Sequence, residues 1–447
     1  MYPAIYRTMR LFLPGGLETR RHLRELERTQ WLSEDELQAL QLAKIQRLVK
    51  HAYEYVPFYR ERYQRAGIHP EDIRSLEDFQ SVPFLTREDV KNNLEALIAG
   101  NFPRHELQKT ETGGSTGEPI QFFVEGSFWW QNAANVFRLR SWHGVREGEK
   151  SAWIWPADPE EMPDWSWRRR LETQVRQERY LNAFNLTEET MRDFANMLVH
   201  WQPAMIKSLP SAVSFFARYL KEWGITNIRP RFIEVTSEKL SPPQRELVEE
   251  VFGCKVADKY SSREVGAIAY PCEMGGFHVS ADVRYLEIVA NGKVVPPGQM
   301  GEVVVTSFNQ FAMPFIRYKK GDMAVYEPGY CSCGRHLPCL KEVVGRTNEF
   351  LVSADGKFVH SLFFAHLFRV KPEVEHYQVH QLDREHLDIR LVCNQPVDSA
   401  WLDNIRAETQ SRFGQVTQVS IQLVDRIELT PAGKYRQIIS EVRPDFI

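Results

Sequence analysis

Residues 231–260 constrain the architecture more tightly than any other stretch. Arg231-Phe-Ile-Glu-Val235 reads as a strand, Ser241 as the cap of a helix with Pro242 in its first turn, Gly253 as that helix's end, and Lys255–Tyr260 as the next strand. Two strands joined by a helix lie parallel in one sheet, because the chain must cross over before it can run the same way again. A further helix over 211–223, closed by Gly224, extends the alternation upstream. The expected fold class is α/β, with at least part of its sheet parallel.

Other regions have a different texture. The first hundred residues read as helical: Ser33 and Glu36 form a capping box, and Leu37, Leu40, Ile45, Leu48, Val49 and Ala52 follow at helical spacing. Between 284 and 326 strands with tight turns take over, and Asn291-Gly292 marks a hairpin. The last hundred residues carry a hairpin at FLVSADGKFVHS, helices near 361–369 and 399–413, and strands near 375–382, 387–393 and 416–424. That is enough for an independent α+β unit, with the boundary at about 346–349.

Composition excludes several classes of function. Of 447 residues, 56 are Lys or Arg and 59 Asp or Glu, a net charge of -3. No broad cationic surface is left over for nucleic acid. No apolar stretch reaches the roughly 18 to 20 residues of a membrane span. The opening MYPAIYRTMRLFLPGG reads as an arm packed on its own protein in preference to a membrane-surface helix, so membrane association is not expected. Six cysteines are too sparse for a disulfide scaffold, and the expected compartment is the reducing cytoplasm.

Four segments carry chemistry. Thr110–Pro119 holds Gly113, Gly114 and Gly117 beside Thr112, Ser115 and Thr116, a loop whose backbone N–H groups can approach an anion closely, yet it lacks the ending of a Walker P-loop. Asp258–Gly266 lies at the carboxyl end of a βαβ strand, where open sheets bind ligands, and Glu264 there offers a carboxylate for a phosphate-bound Mg²⁺. In Phe315–Asp322 the carboxylate of Asp322 suits a ribose diol, and Arg346 in Gly345–Asn348 suits a hydroxyl or phosphate. Leu429–Lys434 puts one lysine at the tip of a late loop.

In this order the segments resemble the adenylate-forming superfamily, and more narrowly its phenylacetate-CoA ligase branch with the relatives found beside capsular-polysaccharide genes. The resemblance spans nearly the whole chain, including residues 57–90. It implies a large ATP- and acid-binding portion, residues 1–346, of βαβ subdomains plus a small β-rich part, then a small mobile α+β lid, residues 347–447. It further implies that Thr112, Gly113, Gly114, Ser115, Thr116 and Gly117 embrace the β- and γ-phosphates. Glu264 would hold Mg²⁺, and Ser237, Glu238, Lys239, Asp258, Tyr260 and Ser261 would border the adenine. Asp322 and Arg346 would hold the ribose, and Lys434 would reach the carboxylate and α-phosphate. The catalytic set so implied is Lys434, Glu264 and Thr116.

The reaction implied is ATP-dependent conversion of a carboxylic acid, aromatic or otherwise apolar, to an acyl-adenylate, followed by transfer to coenzyme A. The alternatives are a sugar or amine acceptor, or a silent zinc-stabilised nucleotide-binding protein. A homodimer is implied by resemblance only. The sequence departs from the pattern at Arg263, read as facing solvent, and at Asn348, where an acidic residue is common. After the hinge, SADGKFVH lacks the Lys-x-x-Gly stretch of a coenzyme A tunnel. The aromatics of Ser127–Phe137 suit either an acid pocket or a helix core.

Separately, Cys272 with His278 and Cys331 with Cys333 form two close pairs of soft ligands in glycine-containing turns, the makings of a closed structural Zn²⁺ site; Cys339 and His336 are alternative ligands.

Overall fold

The computed structural model describes residues 6, 15–111, 120–155, 173–183, 186–346, 350–355, 358–360, 362–369, 371, 373–428 and 437–442. Helices α1 (Gly16–Thr29), α2 (Glu34–Tyr55) and α3 (Pro57–Ala66) come first. The α2 capping box forms as expected, the Ser33 N–H donating to the Glu36 carboxylate at 2.8 Å while the Ser33 hydroxyl accepts from the Glu36 N–H. Leu37, Ile45, Leu48, Val49 and Ala52 make its buried stripe. Strands β1 (Gln108–Glu111) and β2 (Gln121–Val124) pair antiparallel on either side of 112–119, and α4 (Gly126–Ser141) follows.

The parallel part consists of β3 (Ser151–Trp155), β4 (Glu178–Asn182), β5 (Met205–Ser208), β6 (Phe232–Thr236) and β7 (Lys255–Ser262), in the order β7-β6-β5-β3-β4. Helices α5 (Glu188–Trp201), α6 (Pro210–Glu222) and α7 (Pro242–Phe252) are its crossovers. Side chains alternate along these strands. Ala152, Ile154, Ile206, Ile233, Val235 and Val256 pack in one core with residues of α5, α6 and α7, whereas Met205, Phe232 and Ala257 join the larger core of α2, α3 and the antiparallel strands. At roughly 1.5–3 kcal/mol for each fully buried aliphatic or Phe side chain, this double-sided burial fixes the sheet between its layers.

Strand β7 outlasts its parallel partner. Up to Lys259 it pairs with β6; from Tyr260 to Ser262 it pairs antiparallel with β8 (Gly266–Pro271). Strands β9 (Phe277–Val279), β10 (Arg284–Ala290), β11 (Lys293–Val294), β12 (Met300–Ser307), β13 (Tyr318–Tyr326) and β14 (Cys339–Arg346) complete a twelve-stranded sheet, continuing from β8 as β9-β14-β13-β12-β10-β11. The Asn291-Gly292 hairpin joins β10 and β11, both turn residues having positive φ, as a two-residue primed turn needs.

After the junction, β15 (Phe350–Val352) pairs with β16 (Phe358–His360), and α8 (Leu362–Arg369) follows. Strands β17 (Val374–Gln381) and β18 (His386–Cys393), helix α9 (Ser399–Phe413), and strands β19 (Gln418–Leu423) and β20 (Ile438–Ser440) complete the chain, the sheet order being β19-β18-β17-β20. Leu351, Phe364, Phe368, Val379, Ile389, Ile405 and Phe413 form a core of their own. Among the described residues, no helix is long and apolar enough to cross a membrane.

Candidate functional site at the carboxyl edge of the parallel sheet

The switch of β7 from a parallel to an antiparallel neighbour places Asp258–Ser261 where the sheet's pairing changes sense, the position at which open sheets leave a crevice. Alternation and a bulge send these side chains different ways. The Tyr260 hydroxyl donates to Asp322 Oδ2 at 2.6 Å, and Asp322 stands opposite Arg346 in the β13–β14 ladder. The Ser261 and Thr236 hydroxyls are 3.1 Å apart, and Thr236 also donates to the Lys259 carbonyl. Asp258 lies on the α7 side near Arg245, where burial pushes its carboxyl up to about 6.

Beyond the end of β6, Ser237 takes a left-handed φ of 74°. Glu238 accepts the Ser211 N–H at 3.0 Å, at the start of α6, and Lys239 Nζ donates to the Val344 carbonyl in β14. Ser237–Lys239, Tyr260, Ser261 and Asp322 are thereby brought to one edge, joined through hydrogen bonds that bridge β6, β7, β13 and β14.

Glu264 lies just past β7 and is buried. Burial opposes its ionisation, but Lys320, whose Nζ is 3.2 Å from Oε1, holds the carboxyl below its ordinary range. The Tyr318 hydroxyl lies 3.4 Å from the same oxygen, and the Glu264 carbonyl accepts from Gln310 Nε2 at 2.7 Å. An ionised carboxylate of this kind is the ligand a hard cation takes, with Lys320 as an existing counter-charge. Sequence reasoning gave Lys320 no role, although it lies inside the motif that was singled out for Asp322.

Thr112, Gly113, Gly114, Ser115, Thr116, Gly117 and Lys434 lie outside the described residues. The loop's flank is nonetheless placed: Arg263 is exposed, as expected, and donates to the carbonyl of Glu111, the last residue of β1, at 3.1 Å. This tether joins the β7–β8 turn to the strand that leads into the glycine-rich segment. Of the aromatics in α4, Phe128 is buried in the core, and Trp129 is partly exposed and donates from Nε1 to Gln108.

A second cluster sits at the other end of β8. Cys272 follows that strand, His278 lies in β9, and Cys331 and Cys333 are in the loop between β13 and β14. One ligand atom from each of the four falls within 4.8 Å of all the others. The Cys272 and Cys331 sulfurs are 3.6 Å apart and Cys333 Sγ is 3.2 Å from His278 Nε2. A tetrahedron with Zn–S bonds of about 2.3 Å has edges of about 3.8 Å, so the spacing fits. His278 Nδ1 lies 2.8 Å from the Leu337 carbonyl, which can only accept; the proton therefore belongs on Nδ1 and the Nε2 lone pair faces the sulfurs. At Gly276 a Cβ would come within 2.5 Å of Cys331 Sγ, so the cluster admits no side chain there. Cys339 approaches His278 on the Nδ1 side at 3.4 Å, and His336 turns to the Leu32 carbonyl; neither faces the cluster.

Residues 351–441 match the family model of the CapK C-terminal domain. Protein CapK of Staphylococcus aureus is 22% identical, over 99% of this chain and 98% of its own length. The phenylacetate-coenzyme A ligase of Thermus thermophilus is 27% identical, over 78% of this chain and 79% of its own. Among solved structures, 2-hydroxyisobutyryl-CoA ligase in its postadenylation state superposes with a TM-score of 0.69 at 22% identity, covering 93% of this chain and 92% of that one, a likeness of fold. Relatives named CapK and phenylacetate-coenzyme A ligase thus match 99% and 78% of the chain, and the fold is one shared with adenylate-forming coenzyme A ligases.

Proposed function

We propose that this chain is an AMP-forming acid–coenzyme A ligase. A carboxylate oxygen of the acid attacks the α-phosphorus of ATP and pyrophosphate leaves; the coenzyme A sulfur then attacks the acyl carbon and AMP leaves. The observation that carries this reading is the edge where Tyr260 orients Asp322 opposite Arg346, one turn of chain from the ionised Glu264. Such a step consists of positioning and charge neutralisation, and a planar donor, a fixed diol acceptor and an ionised carboxylate are the tools for it.

In this reading Asp322 and Arg346 hold the ribose, and Ser237, Glu238, Lys239, Asp258, Tyr260 and Ser261 border the base. Thr112–Gly117 receive the β- and γ-phosphates on backbone N–H groups, and Thr116 adds a hydroxyl. Mg²⁺ at Glu264 would neutralise phosphate charge, and Lys434 would meet the reacting carboxylate and α-phosphate. The acid presents a hydrocarbon body to the sheet edge. Zinc held by Cys272, His278, Cys331 and Cys333 would be structural, since four protein ligands leave no open position; it would clip the β8–β9 turn to the β13–β14 loop.

The test is carboxylate-dependent pyrophosphate release, with and without coenzyme A, and the product's mass. Release that requires an acid, with an acyl-CoA formed on adding coenzyme A, supports the reading. An acyl-sugar or acyl-amide product would move the acceptor, and absence of exchange with every acid in a broad panel would reject adenylation. Lys434→Ala should remove exchange while cooperative unfolding and metal content persist.

A further inference from the structure

The face of the parallel sheet that looks away from α5, α6 and α7 is not apolar throughout. Trp153, Lys207 and Glu234 are direct neighbours in one row across β3, β5 and β6. Glu234 is fully buried and saturated with donors: Oε1 accepts from Arg140 Nη2 and Lys259 Nζ, both at 2.9 Å, and Oε2 from Arg140 Nε at 3.0 Å and the Tyr270 hydroxyl at 3.2 Å. Its single charge is therefore already matched by two cations.

Lys207 is a third cation in the same layer; it feels the field of that carboxylate but makes no hydrogen bond or ion pair with it. Its Nζ lies 4.0 Å from the ring centre of Trp153 and 4.6 Å from that of Trp155, and among the described residues it makes no hydrogen bond or ion pair. Indole faces attract an ammonium group but do not replace an anion. The nearby Glu178 accepts from the Tyr180 hydroxyl at 2.7 Å and, with Glu234, offsets part of the positive charge near Lys207. Burial, together with the neighbouring Lys259, pushes Lys207 well below the ordinary range of a lysine. A half-buried cation that leaves its cluster with one net positive charge is costly unless something negative completes it.

Position says where that partner enters. Trp155 is the last residue of β3, Lys207 the penultimate residue of β5, and Glu234 lies two residues before the end of β6, after which Ser237–Lys239 begin. The cluster therefore lies toward the same carboxyl edge as the proposed nucleotide site, a few residues beneath it. We propose that Lys207, framed by Trp153 and Trp155, is a subsite for a second anionic group on the acid, so that the substrate is a dicarboxylic acid whose hydrocarbon body stacks on the indoles. This rests on the adenylation reading for which of the two carboxylates reacts; the subsite itself rests on the cluster.

The test uses matched acids on the full chain: phenylacetate against para-carboxyphenylacetate, and hexanoate against adipate. Two readouts are taken, acid-dependent pyrophosphate exchange and equilibrium binding followed by tryptophan fluorescence. The wild type is expected to favour the dianion by about tenfold to a hundredfold, the range of one hydrogen bond to a charged group. Lys207→Met should bring the ratio toward one in both readouts, and Lys207→Arg should keep it. If Lys207→Met does not fold, the wild-type ratio and Lys207→Arg decide. A wild type that favours the monoanion, or a preference that survives in Lys207→Met, overturns the subsite. Lys207-dependent binding of the dianion without exchange of any acid keeps the subsite and rejects adenylation; exchange without a dianion preference does the reverse; neither binding nor exchange rejects both.

Discussion

Ser237 adopts a left-handed backbone at φ 74°, where β6 leaves the sheet. Serine has neither glycine's missing Cβ nor the Asn side chain to ease it, so this conformation stores roughly 1 kcal/mol, and strain of this kind gathers at ligand-binding edges. Ser237→Gly should raise the urea midpoint by the equivalent of less than about 1 kcal/mol at unchanged m-value, the unfolded chain's gain in freedom taking back part of the relief. Glu234 makes the opposite case. Burial alone would raise its carboxyl, but Arg140 and Lys259 hold it well below the ordinary value of 4.5. Glu234→Gln keeps the shape and strands two cations, at a cost of about 3–5 kcal/mol. Because the folded value is depressed, Glu234's contribution is complete above about pH 4.5 and is lost as the pH falls through the folded value. The stability gap between wild type and variant, measured by chemical unfolding, should be flat from neutrality down to that pH and should narrow in acid. A gap that widens in acid would contradict the pairing. None of this was legible in Phe-Ile-Glu-Val-Thr read alone. Alternation puts Glu234 on one face, but the cations that neutralise it come from α4 and β7, far off in sequence.

At the scale of elements, local signals were readable wherever they were self-sufficient. The Ser33–Glu36 box, Pro242 and Gly253 around α7, and Asn291-Gly292 each satisfy their own backbone, and the structure has all three. Strands β3, β4 and β20 escaped notice because they are short and lack such punctuation: Ser-Ala-Trp-Ile-Trp becomes a strand through burial against distant helices, and Ile438–Ser440 through parallel pairing with β17. The cluster of Cys272, His278, Cys331 and Cys333 lies between these cases. Its residues could be named from spacing, yet their convergence depends on β9 pairing with β14, where His278 stands opposite Cys339. Gly276→Ala tests that convergence without touching a ligand. The new Cβ would meet Cys331 Sγ at 2.5 Å, so the sulfur must move. Zinc content measured on the purified variant should fall well below one per chain, and its melting temperature should drop with it. Undiminished metal would show that Cys331 is not a ligand. Arg263→Ala tests the other tether: freeing Glu111 should raise the KM for ATP a few-fold, about what one exposed hydrogen bond is worth, with melting unchanged.

For the whole molecule, the sequence anticipated a parallel α/β part and a β-rich part but not that they are one twelve-stranded sheet fused through β7. Pairing β14 with β9 joins segments some sixty residues apart, and nothing local encodes that choice. The fused sheet lets a single edge collect the Tyr260–Asp322 pair, the strand bearing Arg346 and the Lys239 bond to Val344. Residues beyond the junction have a separate core, built on Phe364, Phe368, Ile389 and Phe413, and they include Lys434. Ending the chain after Arg346 should therefore leave the large sheet cooperatively folded, with near-ultraviolet circular dichroism and ATP binding retained. Acid-dependent pyrophosphate exchange should fall by at least about a hundredfold, since a positioned cation at a transferring phosphoryl group contributes on that order. A truncated chain that exchanges at the full rate would remove Lys434 from the reaction, and one that fails to fold would show that the two cores are a single cooperative unit.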